Sequence, residues 1–128
     1  MLSKKREYLV DFPHQGEIWL INFNNLGEEV IKIRPALIIS NNLQNEFDSQ
    51  VMVAIVTSEE SVVSSSGGIL VKKKEVTNLE RDSKLLPNRI HTIFKTKDRF
   101  LKKLGKVDKN TWLRFKKNHF WTIYGDEK

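Results

Sequence analysis

Two apolar runs dominate the chain. Lys32-Ile33-Arg34-Pro35-Ala36-Leu37-Ile38-Ile39-Ser40-Asn41 is one, and Val51-Met52-Val53-Ala54-Ile55-Val56-Thr57-Ser58 is the other, with the polar stretch Asn42 to Gln50 between them. Both are rich in β-branched residues, which predicts two strands joined by a loop and paired antiparallel. In such a pair the start of the first strand lies beside the end of the second. Arg34 and Thr57 should therefore meet at the end away from the loop. Gly16 to Phe23 predicts a further strand with Trp19 and Phe23 on one face, because alternate strand residues share a face. Asn24 to Val30 reads as a loop, and the Ser-Ser-Ser-Gly-Gly run makes Glu59 to Gly68 a surface loop.

Ile69 to Lys73 predicts another short strand and Thr77 to Ser83 a turn. Leu85 to Phe94 returns to strand character, with Pro87 marking an edge or a bulge because it has no N–H for a ladder. From Asp108 the period changes. Asp108 is an N-cap candidate, and an apolar stripe of Trp112, Leu113, Phe115, Phe120 and Trp121 opposite lysines predicts a packed helix over 108–123. Residues 1–13 read as a tail or short first turn closed by Pro13. The fold class expected is mostly β with a C-terminal α-helix, a small antiparallel barrel forming one domain over 1–128.

Charge changes the picture. Residues 1–89 hold 11 Lys and Arg against 12 Asp and Glu, a net of −1, whereas residues 90–128 hold 11 against 4, a net of +7. A basic excess confined to the last third points to an anionic partner, with nucleic acid the leading candidate. The plain alternative is a set of lysines that wets the outer face of the terminal helix. The chain has no cysteine, which excludes disulfides and thiolate metal sites. No run approaches the ~18 apolar residues of a membrane span, and the first ten residues lack the apolar core of a signal peptide. A cytoplasmic location is expected.

The candidate chemistry starts at Arg34. Pro35 biases it to extended geometry, and its planar fork suits phosphate and the charge that grows on phosphoryl oxygens during cleavage. The structural alternative is a salt bridge with Glu28 or Glu29. A Thr57 hydroxyl at a strand end can donate to a phosphate oxygen, or merely start a turn. His14, His91 and His119 have no metal-ligand spacing, so no metal site is expected. His91 alternates onto one face with Arg89 and Ile93, where it is either structural or a proton acceptor. His119 is expected on the terminal helix among its lysines. Trp112 and Trp121 belong to the apolar stripe, which favours core packing over base stacking. Lys72-Lys73-Lys74 is either a phosphate track or a solvated edge. GxxxxGK[ST], GxGxxG, GxSxG and HExxH are all absent.

Gly16-Glu17-Ile18-Trp19, the Arg34-Pro35 strand and Ala54-Ile55-Val56-Thr57-Ser58 together resemble the MazF/PemK family of toxin ribonucleases. Leu79-Glu80-Arg81-Asp82-Ser83, Ile90-His91-Thr92-Ile93 and Leu104-Gly105-Lys106-Val107 follow in matching order. The resemblance implies a small SH3-like barrel of the CcdB/MazF type, forming a homodimer. It implies metal-independent, sequence-selective cleavage of single-stranded RNA by 2′-hydroxyl attack, leaving a 2′,3′-cyclic phosphate and a 5′-hydroxyl. The family's catalytic arginine and threonine fall on Arg34 and Thr57. Candidate RNA contacts are Asn24, Asn25, Glu28, Lys32, Ser58 and Arg89, and the implied partner is a cognate antitoxin covering the RNA groove; no cofactor is implied. The chain departs from the pattern in having Glu59 where the family has Gln and His91 where it has Arg, and in a longer Lys95 to Leu101 segment. Because guanidinium stays protonated, Arg34 is read as a transition-state clamp, and the base is left open between His91 and solvent. The alternative is a non-catalytic nucleic-acid-binding or gyrase-poisoning module on the same barrel.

Overall fold

A computed structural model describes residues 6–25, 33–58 and 68–126. The elements are β1 (Glu17–Asn22), β2 (Ile33–Ile38), α1 (Asn42–Phe47), β3 (Gln50–Thr57), β4 (Ile69–Val71), β5 (Ser83–Phe94), β6 (Phe100–Lys106) and α2 (Lys109–Tyr124). A single 3₁₀ turn follows β4 at Lys73–Glu75.

Among the described residues every strand pairing is antiparallel, in the spatial order β4-β5-β3-β2-β1-β6. Laid flat, this order would separate β4 from β6 by five strand spacings, about 24 Å. Yet Ile69 and Val71 of β4 share one buried cluster with Leu104 of β6. The sheet therefore curls into a half-barrel, and the segment after β4 bridges the gap. Asn78 N donates to the Leu104 carbonyl at 3.0 Å. Gly105 is required there, because a Cβ on it would stand 2.7 Å from Val76 Cγ1. Phe115 of α2 is buried in the same cluster. A second cluster lies on the other face of the central strands, built on Ile21, Ile38, Val53 and Ile93.

Four expectations are corrected. The predicted loop between the first two apolar runs contains α1, capped by Asn41, whose side chain accepts from Gln44 N at 2.9 Å. Its buried residue is polar: Asn45 donates from Nδ2 to the Ser40 carbonyl at 2.9 Å and accepts from the Ser40 hydroxyl. A six-residue helix is too short to show a period, and its two apolar residues, Leu43 and Phe47, stay exposed rather than mark a buried face. Residues 6–9 are not a tail. Leu9 N donates to the Lys95 carbonyl at 3.0 Å, Lys97 N donates to the Glu7 carbonyl at 2.9 Å, and the Arg6 guanidinium sits 3.9 Å from the centre of the Phe94 ring.

The stripe expected to bury α2 is only half buried. Phe115 is enclosed and Trp112 packs beside it, whereas Leu113, Phe120 and Trp121 are exposed. The inward residues instead run through Thr111, Phe115 and His119. His119 turns in, its ring stacked 5.7 Å from Phe115 and its Nδ1 donating to the Pro87 carbonyl at 2.8 Å. Pro87 does lie where the β3–β5 register shifts, between Ala54↔Ile90 and Val56↔Leu85. Asp108 caps α2 as expected, accepting from Thr111 N at 2.7 Å, and this bond holds its carboxyl below the ordinary value.

Candidate active site

The β2–β3 ladder pairs Ala36 with Ile55 and Ile38 with Val53. Continued two residues past the paired stretch, the same register sets Arg34 opposite Thr57. Strand alternation then puts both side chains on one face, because Arg34 shares the parity of Ala36 and Thr57 that of Ile55. The two residues line a single cleft of about 520 Å³ with Ser58, Leu20, Pro35 and Val56. Thr57 is buried, and Arg34 is partly so. Arg34 Nε is buried and has no hydrogen-bond partner among the described residues. A buried, charged donor without an acceptor is costly, and such atoms collect where a ligand supplies the missing oxygen.

The opposite wall comes from the bridging segment and β6. Asn78, Leu79, Glu80, Arg81 and Ser83 line it, together with Lys102 and Leu104. Lys102 pairs with Leu20 across β6 and β1, and Leu20 pairs with Pro35 across β1 and β2. The floor of the cleft is thus a row running across the strands. None of Leu20, Asn78, Ser83, Arg81 or Lys102 was a candidate from the sequence. Arg81 lies in a stretch that reads only as a turn, and Lys102 sits in a lysine-rich stretch where no element is legible.

Other candidates fall elsewhere. His91 pairs with Val53 on β3, four residues or about 13 Å along the strand from Thr57, and its ring lies 5.3 Å from that of Phe23. It is not among the residues lining the cleft, and neither is exposed Arg89. Asn24 and Asn25 form the turn after β1, also outside the lining, where the Asn24 carbonyl accepts from Arg99 Nη1 at 2.7 Å. Glu28, Lys32 and Glu59 lie outside the described residues. Among the described residues, no group of three or more His, Asp or Glu is arranged to hold a metal ion.

Behind the floor, Glu17 is the buried ion of β1, its side chain 8% exposed. Burial raises its pKa, but donors more than offset this: His14 N at 2.8 Å, Lys103 Nζ at 2.8 Å and Trp19 Nε1 at 3.0 Å hold it below the ordinary value. Lys103 is therefore committed to Glu17.

Residues 14–118 match the sequence model of the PemK-like, MazF-like toxins of type II toxin-antitoxin systems. The chain belongs to this family. No curated protein sequence matches the toxin significantly. Among solved structures, MazF from Deinococcus radiodurans superimposes with a TM-score of 0.71 at 15% identity, covering 91% of this chain and 99% of that one. A mycobacterial endoribonuclease in complex with its cognate antitoxin gives 0.70 at 17% identity, covering 91% and 99%. The Mycobacterium tuberculosis toxin MazF-mt6 gives 0.68 at 17% identity, covering 87% and 99%. At these identities the likeness establishes the fold: a curled antiparallel sheet with a C-terminal helix, as in MazF.

Proposed function

We propose that this toxin is an endoribonuclease that cuts single-stranded RNA in the Arg34–Thr57 cleft. The ribose 2′-oxygen attacks the adjacent phosphorus, the bond to the 5′-oxygen breaks, and a 2′,3′-cyclic phosphate and a 5′-hydroxyl result. Arg34 donates to the phosphoryl oxygens as their charge grows, and Thr57 donates to a second oxygen of the same phosphate. Guanidinium keeps its proton, so the 2′-hydroxyl proton passes to water, and water protonates the leaving 5′-oxygen. His91 takes no part in this scheme, since it lies away from the cleft. The observation that carries the reading is Arg34 Nε, buried and without a partner among the described residues, in one cleft with Thr57.

The protein partner is an antitoxin that occludes the cleft, as befits a toxin of a type II system, and the setting is the cytoplasm. The toxin acts as a homodimer, for which the exposed apolar face of α2 supplies surface. The decisive experiment incubates the purified toxin with a long single-stranded RNA in EDTA and maps the new termini. Discrete fragments bearing 2′,3′-cyclic phosphates are expected. Arg34→Ala should slow their appearance by about 10²–10³-fold, the cost of losing one preorganised donor. A slowing below about threefold counts against the clamp.

A further inference from the structure

Two cations of the cleft have no role in the chemistry at Arg34 and Thr57. Arg81 projects from the segment between β4 and β5, and Lys102 from β6, so the pair comes from elements remote in sequence. Both are exposed, and neither enters an ion pair among the described residues, whereas neighbouring Lys103 is held by Glu17. The backbone carrying Arg81 is tied down on both sides. Asp82 Oδ1 accepts from Lys73 N at 2.8 Å, Ser83 Oγ donates to the Arg81 carbonyl at 2.9 Å, and Asn78 is bonded to Leu104. Lys102 is fixed by the row through Leu20 to Pro35, two strand spacings or about 10 Å from the strand that bears Arg34. Against Arg34, Arg81 and Lys102 stands one carboxylate, Glu80, among the described lining residues. The cleft thus carries more positive charge than one phosphate needs, and the surplus comes from elements other than the two strands that bear Arg34 and Thr57.

We propose that Arg81 and Lys102 form a second phosphate subsite, which grips a non-reacting phosphodiester next to the scissile one. This rests on the RNA-cleaving reading above. Arg81 offers a two-pronged donor and Lys102 a point charge, a combination suited to an exposed phosphate that must be held without being activated. Such a contact adds to binding and salt dependence, with little effect on the chemical step.

The test uses single-stranded RNA made uncleavable by a 2′-deoxy sugar at the cut site, titrated at several salt concentrations. Arg81→Ala/Lys102→Ala should reduce the slope of log K against log salt by about 0.7, the value for one single-strand phosphate contact, and Arg81→Ala and Lys102→Ala should each take part of that loss. Lys116→Ala on α2 should leave the slope unchanged. On cleavable RNA both cleft variants should raise KM while kcat stays within about twofold. With neutral methylphosphonates placed one at a time, wild type should weaken at one flanking position, and Arg81→Ala/Lys102→Ala should be indifferent there. Unchanged slopes, retained methylphosphonate sensitivity, or a fall in kcat at constant KM would each overturn the subsite. Cleavage with wild-type slopes in the variants sinks the subsite alone. A toxin that shows these slopes yet cuts nothing supports the subsite and sinks the nuclease reading.

Discussion

Glu17 tolerates burial because three donors converge on its carboxylate, and the same contacts give it a pH dependence. Its folded pKa lies below its ordinary value near 4.5, so the folded state favours the ionised form. The contribution to stability is complete above that value and is lost as pH falls through the lower folded pKa. Chemical denaturation of wild type should show stability dropping below about pH 4.5. Glu17→Gln should cost about 1–3 kcal/mol at neutral pH and flatten that acid limb. An unchanged limb in the variant would assign the loss to other carboxylates. At this scale the meeting of Arg34 and Thr57 in one cleft was legible from strand order alone. Arg81 and Lys102 were not, since nothing local distinguishes a lysine in a groove from one in open solvent.

Among the elements, β6 is the one the sequence conceals. Its Phe100-Leu101-Lys102-Lys103-Leu104-Gly105-Lys106 run lacks clean alternation, because the pairing with β1 slips between Ile18 and Trp19 and again between Leu20 and Ile21. Each slip resets which residues face the core. Gly105 sits at the closest approach to Val76, so Gly105→Ala should destabilise the fold by roughly 1–3 kcal/mol, read from denaturation midpoints. The larger Gly105→Val should cost more. A neutral Gly105→Ala would mean that the Val76 segment moves freely, which its bond to Leu104 opposes. α2 teaches a related lesson. Its N-cap and extent follow from Asp108 and the change of period, but its inward stripe ends on His119 rather than on Phe120 and Trp121.

For the whole molecule, α2 leaves Leu113, Phe120, Trp121, Ile123 and Tyr124 exposed, with Phe120 and Tyr124 rings 4.7 Å apart. So many large apolar side chains exposed on one helix mark an interaction surface to be tested. If it buries against a second copy, Trp121→Glu should convert a dimer to a monomer in light scattering while melting cooperatively as a folded protein. A dimer that survives the substitution would place the interface elsewhere. The half-barrel itself was anticipated in class, yet its closure by the Val76–Asn78 segment was not, and that closure assembles the far wall of the cleft.

Strand periods, the Arg34-Pro35 start, the Thr57 end and the Asp108 cap are local properties, set by side-chain alternation and backbone hydrogen bonding within a few residues. From them the sequence alone determined the antiparallel pair and the terminal helix. How far the sheet curls depends on bulges and on packing summed over six strands, which no window of sequence contains. Tertiary structure therefore decided that Arg81 and Lys102 line the same cleft as Arg34, and that His91 does not.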